Sequence, residues 1–497
     1  MVKILNTTQI KEWDAFTIEN DPILSIDLME KACRAFVQWF IAHFDQLQKV
    51  GIVCGSGNNG GDGLGIARLL NDWGYNVKVW VVKGNVPESL DFKQNLNRLE
   101  EKPVEITSKP GKGIFDSCEV LIDGIFGSGL SRPPEGIYAE VIHEMNETTA
   151  TRVAIDIPSG LFADKHTANT CVHADFTVSF QIPKLAFLFP ENERHVGKWQ
   201  VVDIGLSKSY LKEVTAQNFL VEKKWIAKQL PKRKQFSHKG DFGKALLIAG
   251  GLGKMGACVL AAKAALKSGV GLLTLHVPKC GYQIVQTSVP EAMASIDEHD
   301  ACFTSLPYVD GFTAVGVGPG IGQHKKTLKA LEDLLNISKI PMVIDADGIN
   351  LLAANNSLLH LLKENCILTP HPGELHRLIG DWSDDFHRLE MAKTFSAKTK
   401  CILVIKGAHT SVVAPDGRVF FNSTGNPGMA TGGSGDVLTG IITALLAQGI
   451  DPLDAAILGV FVHGYAGDLA AWETGPISLT ASDIHNSLPE AFKQLFR

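Results

Sequence analysis

The sequence predicts an α/β protein with two separate, mostly parallel sheets that helices cover on both faces. Short runs rich in β-branched residues recur along the 497 residues, and each ends in a glycine or aspartate cluster before a helical pattern. This alternation is typical of βαβ units and of buried parallel sheets. It lapses at residues 206–235, a charged stretch without strand-turn-helix units that we expect to contain a domain boundary.

The strands of the two predicted sheets are the following strand-like runs, given in chain order. Those before the lapse are KVGIVCGSG (49–57), YNVKVWVVKG (75–84), CEVLIDGIFGSG (118–129) and TRVAIDIPSG (151–160). Those after it are KALLIAGG (244–251), VGLLTLHVP (270–278), TAVGVGPGIG (313–322), PMVIDADGIN (341–350), CILTPHPGE (366–374) and CILVIKGAHTSVVAPDGRVFFN (401–422). We predict domains at residues 1–215 and 225–497. Their glycine motifs differ in spacing, so the halves are not a repeat.

The composition is that of a soluble globular chain with small-molecule partners. Hydrophobic residues make up 45% and charged residues 20% of the sequence, with 48 glycines for tight turns. The formal charge of −6 comes without a large basic block, so we expect no nucleic acid and no membrane as partner. The nine cysteines occur singly and are expected to be reduced core residues. The N-terminus lacks a signal-peptide pattern, which predicts a cytoplasmic protein.

The first glycine loop, GSGNNG (55–60), follows a strand and precedes a helix, as in dinucleotide-binding proteins. The next strand ends in Lys83 and Gly84, without the acid that would hold a ribose hydroxyl, which argues against an ordinary NAD dehydrogenase. Instead, Asn58, Asn59 and Asp62 place amide and carboxylate oxygens beside the helix N-terminus. Such a turn can bind a phosphate and a cation together.

Two further acids directly follow apolar strands, Asp123 after EVLI and Asp156 after RVAI. Because the carboxyl ends of parallel strands converge on one crevice, we expect both near the first glycine loop. Each could instead cap a turn, which is a common role for aspartate. Ser128 and the glycines of GIFGSGL (124–130) would supply backbone donors for further phosphate oxygens.

The motifs GSGNNGGDGLG, DGIFGSGL and AIDIPSG make about residues 1–215 resemble the NAD(P)HX epimerases. That family interconverts the two C6 hydrate epimers of reduced nicotinamide nucleotides. The resemblance implies that K⁺ is held by Asn59, Asp123 and Ser159, and we interpret Asp156 as the acid/base near C6. The implied substrate contacts are Asn58, Asn59, Gly60, Gly61, Asp62, Gly127, Ser128, Gly129, Leu130, Ser131, Arg132 and Pro133.

The second glycine loop, NPGMATGGSGDVLTG (426–440), leads directly into an apolar helical run. Its glycines let the backbone approach an anion, and the helix N-terminus directs N–H groups toward that charge. Asp436 at the helix start could take a proton from an attacking hydroxyl, as phosphoryl transfer to an alcohol requires. The alternative role for Asp436 is that of a helix cap, but a cap needs no glycine cluster.

Together with TPHPGELHRL (369–378) and KGAHTSV (406–412), this loop makes about residues 225–497 resemble the ribokinase-like ADP/ATP-dependent NAD(P)HX dehydratases. The resemblance implies Asp436 as the base, ADP as co-substrate and Mg²⁺ on the nucleotide phosphates. Implied nucleotide contacts are Lys406, Gly407, Ala408, His409, Thr410, Asn426, Pro427, Gly428, Met429, Ala430, Thr431, Gly432, Gly433, Ser434 and Gly435. Implied substrate contacts are Ala257, Gly320, His371, Pro372, Gly373, Glu374, Leu375, His376, Arg377 and Asp436.

The predicted architecture is a Rossmann-like parallel-sheet domain followed by a ribokinase-like α/β domain. Joined in one chain, the halves predict a metabolite-repair enzyme that epimerises the R and S hydrates of NADH and NADPH. It would dehydrate the S form with ADP and release AMP and phosphate. We expect NADHX, NADPHX and ADP as partners, and a homo-oligomer.

Two other readings of the sequence stay open. The chain could be a ribokinase-type small-metabolite kinase with a noncatalytic nucleotide-binding N-terminal module, or that module could serve protein interaction or nucleotide sensing. Apart from the resemblance, His371 could be a structural loop histidine. For Asp345 and Asp347 we favour turn capping over a role in the site, and the roles of His238 and Lys239 are undecided.

Overall fold

The computed structural model describes residues 1–21, 23–84, 87–102, 104–107, 111–168 and 170–496. Backbone contacts divide the chain into two compact units. The N-terminal unit comprises Lys3–Ala216 together with Asp384–Phe386. The C-terminal unit comprises Met1–Val2, Gln217–Ser383 and the chain from His387 onward.

The strands and helices alternate through most of both units. The strands are β1 (Val2–Ile4), β2 (Lys49–Cys54), β3 (Asn76–Val81), β4 (Glu105–Thr107), β5 (Val120–Gly124), β6 (Thr151–Ile155), β7 (Phe176–Phe180), β8 (Lys198–Val202), β9 (Asn218–Leu220), β10 (Lys244–Ile248), β11 (Leu272–Val277), β12 (Met293–Ile296), β13 (Ala314–Val317), β14 (Met342–Ile344), β15 (Ile367–Leu368), β16 (Ile402–Ile405), β17 (Ser411–Val413) and β18 (Val419–Phe421). The helices are α1 (Thr7–Asn20), α2 (Ser25–Ile41), α3 (Asn58–Asp72), α4 (Leu90–Glu100), α5 (Ile137–Glu147), α6 (Glu193–Val196), α7 (Lys208–Glu213), α8 (Lys223–Gln229), α9 (Met255–Lys267), α10 (Tyr282–Ser288), α11 (Lys325–Ile337), α12 (Ala346–Ala354), α13 (Pro372–Ile379), α14 (Asp385–Thr399), α15 (Ser434–Ala447), α16 (Pro452–Thr474) and α17 (Ala481–Leu495).

The sheet of the N-terminal unit is parallel throughout its described strands, in the order β4-β3-β2-β5-β6-β7-β8. Helices α2 and α3 bury apolar side chains such as Phe36 and Ile66 against one face of it. In the central strands, Val53 of β2 pairs with Asp123 of β5, and Asp123 pairs with Ala154 of β6. The carboxyl ends of these three strands therefore lie at one edge, which confirms the predicted Rossmann-like parallel sheet.

The sheet of the C-terminal unit is mixed, in the order β1-β9-β18-β17-β16-β15-β14-β13-β10-β11-β12. The predicted run 401–422 separates into β16, β17 and β18, which pair antiparallel because two short turns reverse the chain. The stretch 206–235 also has more regular structure than expected. It contains β9, which pairs with β18, and the short helices α7 and α8.

Three helices build the core around the second glycine loop. Helix α15 crosses α9 so closely that a Cβ at Gly440 would lie 2.1 Å from the carbonyl oxygen of Ala261. Helix α16 is long and apolar enough to cross a membrane, but 67% of its apolar window is buried inside the protein. It packs against α15 and α17, as the core helix of a globular unit does.

Candidate active sites

The first candidate site is a cavity of about 850 Å³ at the carboxyl edge of the N-terminal sheet. Its walls are formed by helix α1 and by the chain that follows β2, β5, β6 and β7. The sequence-predicted residues that line it are Asn58, Asn59, Asp62, Gly127, Ser128, Gly129, Leu130, Ser131, Arg132, Pro133 and Asp156. The strand ends identified from the sequence thus meet at one crevice.

Gly60 and Gly61 lie outside the lining of this cavity. A Cβ at Gly60 would lie 1.7 Å from the carbonyl oxygen of Gly55, and a Cβ at Gly61 would lie 3.2 Å from the backbone nitrogen of Phe92. Glycine at these positions lets the first turn of α3 pack against its neighbours. Their contact with substrate stays a prediction.

The N-terminus of α3 is open toward the cavity. Gly57 is its N-cap residue and provides no side-chain cap, so the first N–H groups of the helix are available to a ligand. Lys11 and Arg132 line the same cavity, and Lys11 Nζ lies 3.4 Å from the position of a Cβ at Gly129. Backbone donors and two cationic side chains together suit a phosphate group.

Asp123 and Ser159 form a fully buried polar cluster beside the cavity. Ser159 donates to the Asp123 carboxylate from its backbone nitrogen at 2.7 Å and from Oγ at 2.5 Å. Burial raises the pKa of Asp123 to about 6, although these hydrogen bonds oppose the shift. No cationic side chain in the described ranges forms an ion pair with Asp123.

Asn59 completes a set of oxygen donors at this cluster. Its side chain is buried next to Gly127, and its Nδ2 has no hydrogen-bond partner in the described part of the chain. The side-chain oxygens of Asn59, Asp123 and Ser159 are the hard ligands that alkali and alkaline-earth ions prefer. The residues present therefore fit the expected cation.

Asp156 lies directly after β6 and forms a buried ion pair. Its φ of 65° is a left-handed conformation that aspartate tolerates. Its Oδ1 accepts hydrogen bonds from the backbone nitrogen of Phe180 at 2.9 Å and from the ammonium of Lys184. Lys184 is 1% exposed and also donates to Ser179 Oγ at 3.0 Å. The Asp156 carboxylate thus bonds the neighbouring strand end rather than capping its own turn.

Two more carboxyl groups line this cavity, Asp14 from α1 and Asp62 from α3. Burial raises the pKa of Asp14 to about 6; the charge of Asp156 adds to the shift and Lys184 opposes it. Burial also raises the pKa of Asp62 well above its usual range, with the charges of Asp156, Asp14 and Asp91 adding to it. The cavity therefore contains the ion-paired Asp156 and two carboxyl groups, those of Asp14 and Asp62, whose pKa values burial raises.

The second candidate site is a cavity of about 510 Å³ in the C-terminal unit. Six sequence-predicted residues line it: Ala257, Gly320, Glu374, Gly432, Gly433 and Asp436. Lys254, Asp347 and Asn350 line it as well. Asp347, for which turn capping was favoured, is thus part of the cavity wall.

The N-terminus of α15 carries the features of an anion site. Gly433, its N-cap residue, has a φ of 89° and provides no side-chain cap. The first N–H groups of α15 are therefore available to a ligand. Lys406 Nζ would lie 3.3 Å from a Cβ at Gly435, so its ammonium adjoins the same helix end. Asp436 lies in the first helical turn.

A buried network holds Lys406 in place. Its Nζ lies 2.8 Å from Asp345 Oδ1 and 3.8 Å from Glu374 Oε2. Thr439 Oγ1 donates to Asp345 Oδ2 at 2.7 Å. Asp345 begins α12 but makes no side-chain cap hydrogen bond there, so the favoured capping role was wrong for this residue.

The same network sets the charge state of Asp436. Burial raises the pKa of Asp436 to about 7, with the charges of Asp345 and Asp347 adding to the shift and Lys406 opposing it. A carboxylate with this pKa can accept a proton at neutral pH and hold it. The helix end thus combines a base with donors for an anion.

His371 caps the helix that follows it. Its Nδ1 accepts a hydrogen bond from Gly373 N at 3.0 Å, and Glu374 accepts one from His371 N at 2.9 Å. Within 371–377 only Glu374 lines the cavity, while Leu375 is fully buried. Arg377 Nη1 donates to the lining residue Asn350 at 3.0 Å. The structural role weighed for His371 is therefore present, and its contact with substrate stays a prediction.

The two predicted nucleotide segments, 406–410 and 426–435, flank this helix end. Thr410 Oγ1 closes the first segment by donating to Gly407 O at 2.8 Å. Asn426 Nδ2 anchors the second by donating to Asp468 Oδ1 at 3.0 Å. Of these segments only Gly432 and Gly433 line the cavity. The nucleotide contacts of both segments stay a prediction.

His463 of α16 adjoins the glycine loop from the core side. Its Nε2 lies 3.3 Å from Ser434 Oγ. Burial lowers the pKa of His463 to about 4, so the imidazole is neutral at physiological pH. A neutral ring can fix the Ser434 hydroxyl without adding charge to the anion site.

His238 and Lys239, whose roles were undecided, lie outside the lining of both cavities. His238 N donates to Asp241 Oδ2 at 2.9 Å and starts a short turn. A Cβ at Gly271 would lie 1.7 Å from the Lys239 carbonyl oxygen. Lys239 therefore packs closely against the backbone of Gly271, and His238 starts the turn that precedes β10.

Several residues of the two sites were missed in the sequence: Asp14, Lys184, His463 and Asp468. Lys184 had a usable signal, because it interrupts the apolar run FTVSFQIPKLAFLF (176–189) and a lysine there must be buried. Asp14 had none, since an aspartate within a helix without a glycine motif or a strand end beside it does not by itself indicate a site. His463 and Asp468 reach the glycine loop only through the packing of α16.

Two protein families match successive parts of the chain. The family described as "YjeF-related protein N-terminus" matches residues 25–186. The family described as "NAD(P)H-hydrate dehydratase" matches residues 245–490. The two matched ranges contain most of the lining of the two cavities.

Curated relatives are similar over the whole chain. One is the bifunctional NAD(P)H-hydrate repair enzyme Nnr of Moorella thermoacetica, 36% identical over 99% of this chain and 97% of its own length. Another is the enzyme of the same name from Escherichia coli, 34% identical over 93% of this chain and 88% of its own length.

Solved structures resemble the C-terminal unit. The ADP/ATP-dependent NAD(P)H-hydrate dehydratase of Bacillus subtilis, co-crystallised with ATP and Mg²⁺, is 30% identical, covers 56% of this chain and 98% of its own, and has a TM-score of 0.49. A ribokinase-like superfamily protein of Enterococcus faecalis is 26% identical, covers 57% of this chain and 98% of its own, and has a TM-score of 0.50. The latter likeness confirms the predicted ribokinase-like fold.

Proposed function

We propose that this chain restores NADH and NADPH from both epimers of their hydrates. It belongs to the family of the bifunctional NAD(P)H-hydrate repair enzymes. The N-terminal unit epimerises the R and S hydrates. The C-terminal unit dehydrates the S hydrate with ADP and releases AMP and phosphate. The observation that carries the proposal is the N-terminus of α15, where Asp436 lines the cavity, Lys406 lies beside Gly435 and the first N–H groups have no side-chain cap.

Asp436 is the base of the dehydratase cavity. It takes the proton of the C6 hydroxyl while the hydroxyl oxygen attacks the terminal phosphorus of ADP, and AMP departs as the bridging P–O bond breaks. The C6–O bond then breaks with release of phosphate while the C5 proton passes to water, and the electron pair of the C5–H bond forms the C5=C6 double bond. Lys406 and the N–H groups of α15 stabilise the negative charge of the transferring group.

The nucleotide is held by the two segments that flank α15, 406–410 and 426–435, and the hydrate by Ala257, Gly320 and the segment 371–377. Mg²⁺ supplies positive charge on the nucleotide phosphates when it is bound. In the described part of the chain, no cluster of three or more metal-ligating side chains lies in this cavity. We therefore assign most ligands of the ion to phosphates and water, as is common for Mg²⁺ in phosphoryl-transfer sites.

Asp156 is the acid/base of the epimerase cavity and acts at C6. The nucleotide phosphates of the hydrate lie at the N-terminus of α3, near Lys11 and Arg132. Asn59, Asp123 and Ser159 hold K⁺, which supplies the positive charge that the buried Asp123 carboxylate otherwise lacks. This assignment is supported by the oxygen-only donor set and by the raised pKa of Asp123.

The proposal predicts complete repair of a mixture of both epimers. With ADP, Mg²⁺ and K⁺, reduced-nicotinamide absorbance should recover fully from a mixture of R and S hydrates, with one AMP and one phosphate formed per hydrate. Two phases are expected if epimerisation is slower than dehydration. Chromatography of the nucleotides and the absorbance trace measure these quantities together.

The kinase alternative predicts a different product. A stable phosphorylated compound, formed from some other alcohol while both hydrates remain unchanged, would establish the kinase and reject the repair function. Recovery that stops once the S epimer is consumed would reject the epimerase half alone.

K⁺ dependence should be confined to epimerisation. Replacing K⁺ with Li⁺, or changing Ser159 to alanine, should lower epimerisation by at least about tenfold, the scale seen when support is lost at a metal site. Dehydration of the pure S epimer should not change. Ser117→Ala is the matched control, because Ser117 is an exposed serine of the same unit outside the cavity lining. Equal rates in K⁺ and Li⁺ would exclude the cation assignment.

We also propose a cytoplasmic location and a homo-oligomer. The exposed apolar side chains of Trp472 and Ile477, 91% and 99% exposed, lie close in sequence at the end of α16 and support association of identical chains. Sedimentation of the wild type and of Trp472→Ser would test this assembly.

A further inference from the structure

The epimerase cavity contains a carboxyl group that has no assigned task, Asp14 of α1. It lines the cavity together with Asp156 and Lys184. Asp14 makes no side-chain hydrogen bond or ion pair with any residue of the described ranges, so its carboxyl group is available to a ligand. Lys184, in contrast, bonds Asp156.

Helix α1 is fixed on both sides of Asp14. Trp13 is buried and donates from Nε1 to the Ser207 carbonyl oxygen at 2.8 Å. Thr17, one turn later, accepts a hydrogen bond from Ser207 N at 3.0 Å. Asn6 and Gln9 close a capping box at the start of the helix. A group on so well anchored a helix is held in a defined position, as proton transfer requires.

We propose that Asp14 is the second proton-transfer group of the epimerase and works with Asp156 on the C6 hydroxyl of the hydrate. The inference rests on the epimerase function proposed above. Asp14 enters the cavity from α1 and Asp156 from the end of β6, so two carboxyl groups from different elements face one ligand.

Asp14 and Asp156 can carry out all proton transfers of the epimerisation. In one direction the C6–O bond breaks as Asp14 gives a proton to the departing oxygen, water leaves, and the N1 lone pair forms an N1=C6 double bond. Water then adds to the other face of C6, its proton passes to Asp156, and the electron pair returns to N1. The reverse reaction exchanges the two roles, and solvent resets the protons between turnovers.

The charged groups around Asp14 favour its role as the proton donor and that of Asp156 as the proton acceptor. The titratable and charged groups that share its cavity are Lys11, Asp62, Arg132, Glu135, Tyr138, Asp156 and Lys184. Burial and the negative charge of Asp156 raise the pKa of Asp14 to about 6, whereas Lys184 opposes the shift. Two carboxyl groups with environments this different are the usual basis of an acid and base pair.

The test compares Asp14→Asn with the wild type and with Glu12→Gln, which alters an exposed carboxylate of the same helix that bonds Tyr210. Asp14→Asn should slow interconversion of the pure R and S epimers by about 100-fold or more. Glu12→Gln should not slow it, and Asp14→Glu should restore part of the rate. Dehydration of the S epimer by the same protein and its melting temperature show that the variant is folded.

The pH profile and an isotope label give readouts that a structural role would not change. For the wild type, kcat/KM of epimerisation should fall as the pH rises through about 6, the pKa of Asp14, and Asp14→Asn should lack this limb. In H₂¹⁸O, each epimerisation should place one solvent oxygen on C6. Retention of the original oxygen, or a rate of Asp14→Asn within about threefold of the wild type, would overturn the inference. A wild type that does not interconvert the epimers would instead reject the epimerase function itself.

Discussion

Asp436→Asn should abolish dehydration while leaving epimerisation intact. The substitution keeps the size of the side chain in the first turn of α15 but removes the group that takes the C6 hydroxyl proton. A positioned base contributes about 10²- to 10⁴-fold to such a step, and we expect a loss of that size. The measurement is ADP-dependent recovery of reduced nicotinamide from the pure S epimer, with R–S interconversion in the same sample as the internal control.

The pH dependence gives a second view of the same residue. Because the base must be ionised, kcat/KM of the wild type should rise with pH through about 7, the pKa of Asp436, and level off above it. Asp347→Asn removes one of the negative charges that raise this pKa, so the rising limb should move to lower pH. Unchanged dehydration in Asp436→Asn, or a limb that Asp347→Asn does not move, would assign the base to another group.

Sequence patterns could predict the site residues that follow apolar strands. Asp123, Asp156 and the first glycine loop all stand at carboxyl ends of one parallel sheet, and topology alone brings such ends together. Asp345 also directly follows an apolar strand, β14, yet turn capping was favoured for it. The strand-end position was the better indicator, because its carboxylate reaches Lys406 and Thr439 rather than its own helix.

Residues that reach a site through helix packing could not be predicted in this way. Asp14 and His463 lie on helices whose faces toward the cavities depend on tertiary contacts, such as the hydrogen bonds of Trp13 and Thr17 to Ser207. The strand order was also only partly predictable. The run 401–422 has the pattern of a single unit, but its turns at 406–410 and 414–418 reverse the chain and create two antiparallel strand pairs inside the mixed sheet.

Asp156→Asn should remove epimerisation and also destabilise the N-terminal unit. Asparagine tolerates the left-handed backbone at this position, so the turn after β6 can be kept. The acid/base group is lost, with an expected effect of about 10²- to 10⁴-fold on R–S interconversion. The buried Lys184 ammonium also loses its anionic partner, which costs about 3–5 kcal/mol in comparable buried pairs. Interconversion assays and thermal unfolding measure the two effects separately.

The double variant Asp156→Asn, Lys184→Met distinguishes chemistry from stability. It removes both charges, so no unpaired ammonium remains buried, and replacing a buried ion pair with apolar groups is often neutral for stability. The double variant should therefore unfold near the wild-type temperature but still fail to interconvert the epimers. Recovery of activity together with stability would mean that Asp156 serves only to hold Lys184, and that proton transfer at C6 belongs to the other carboxyl groups of the cavity.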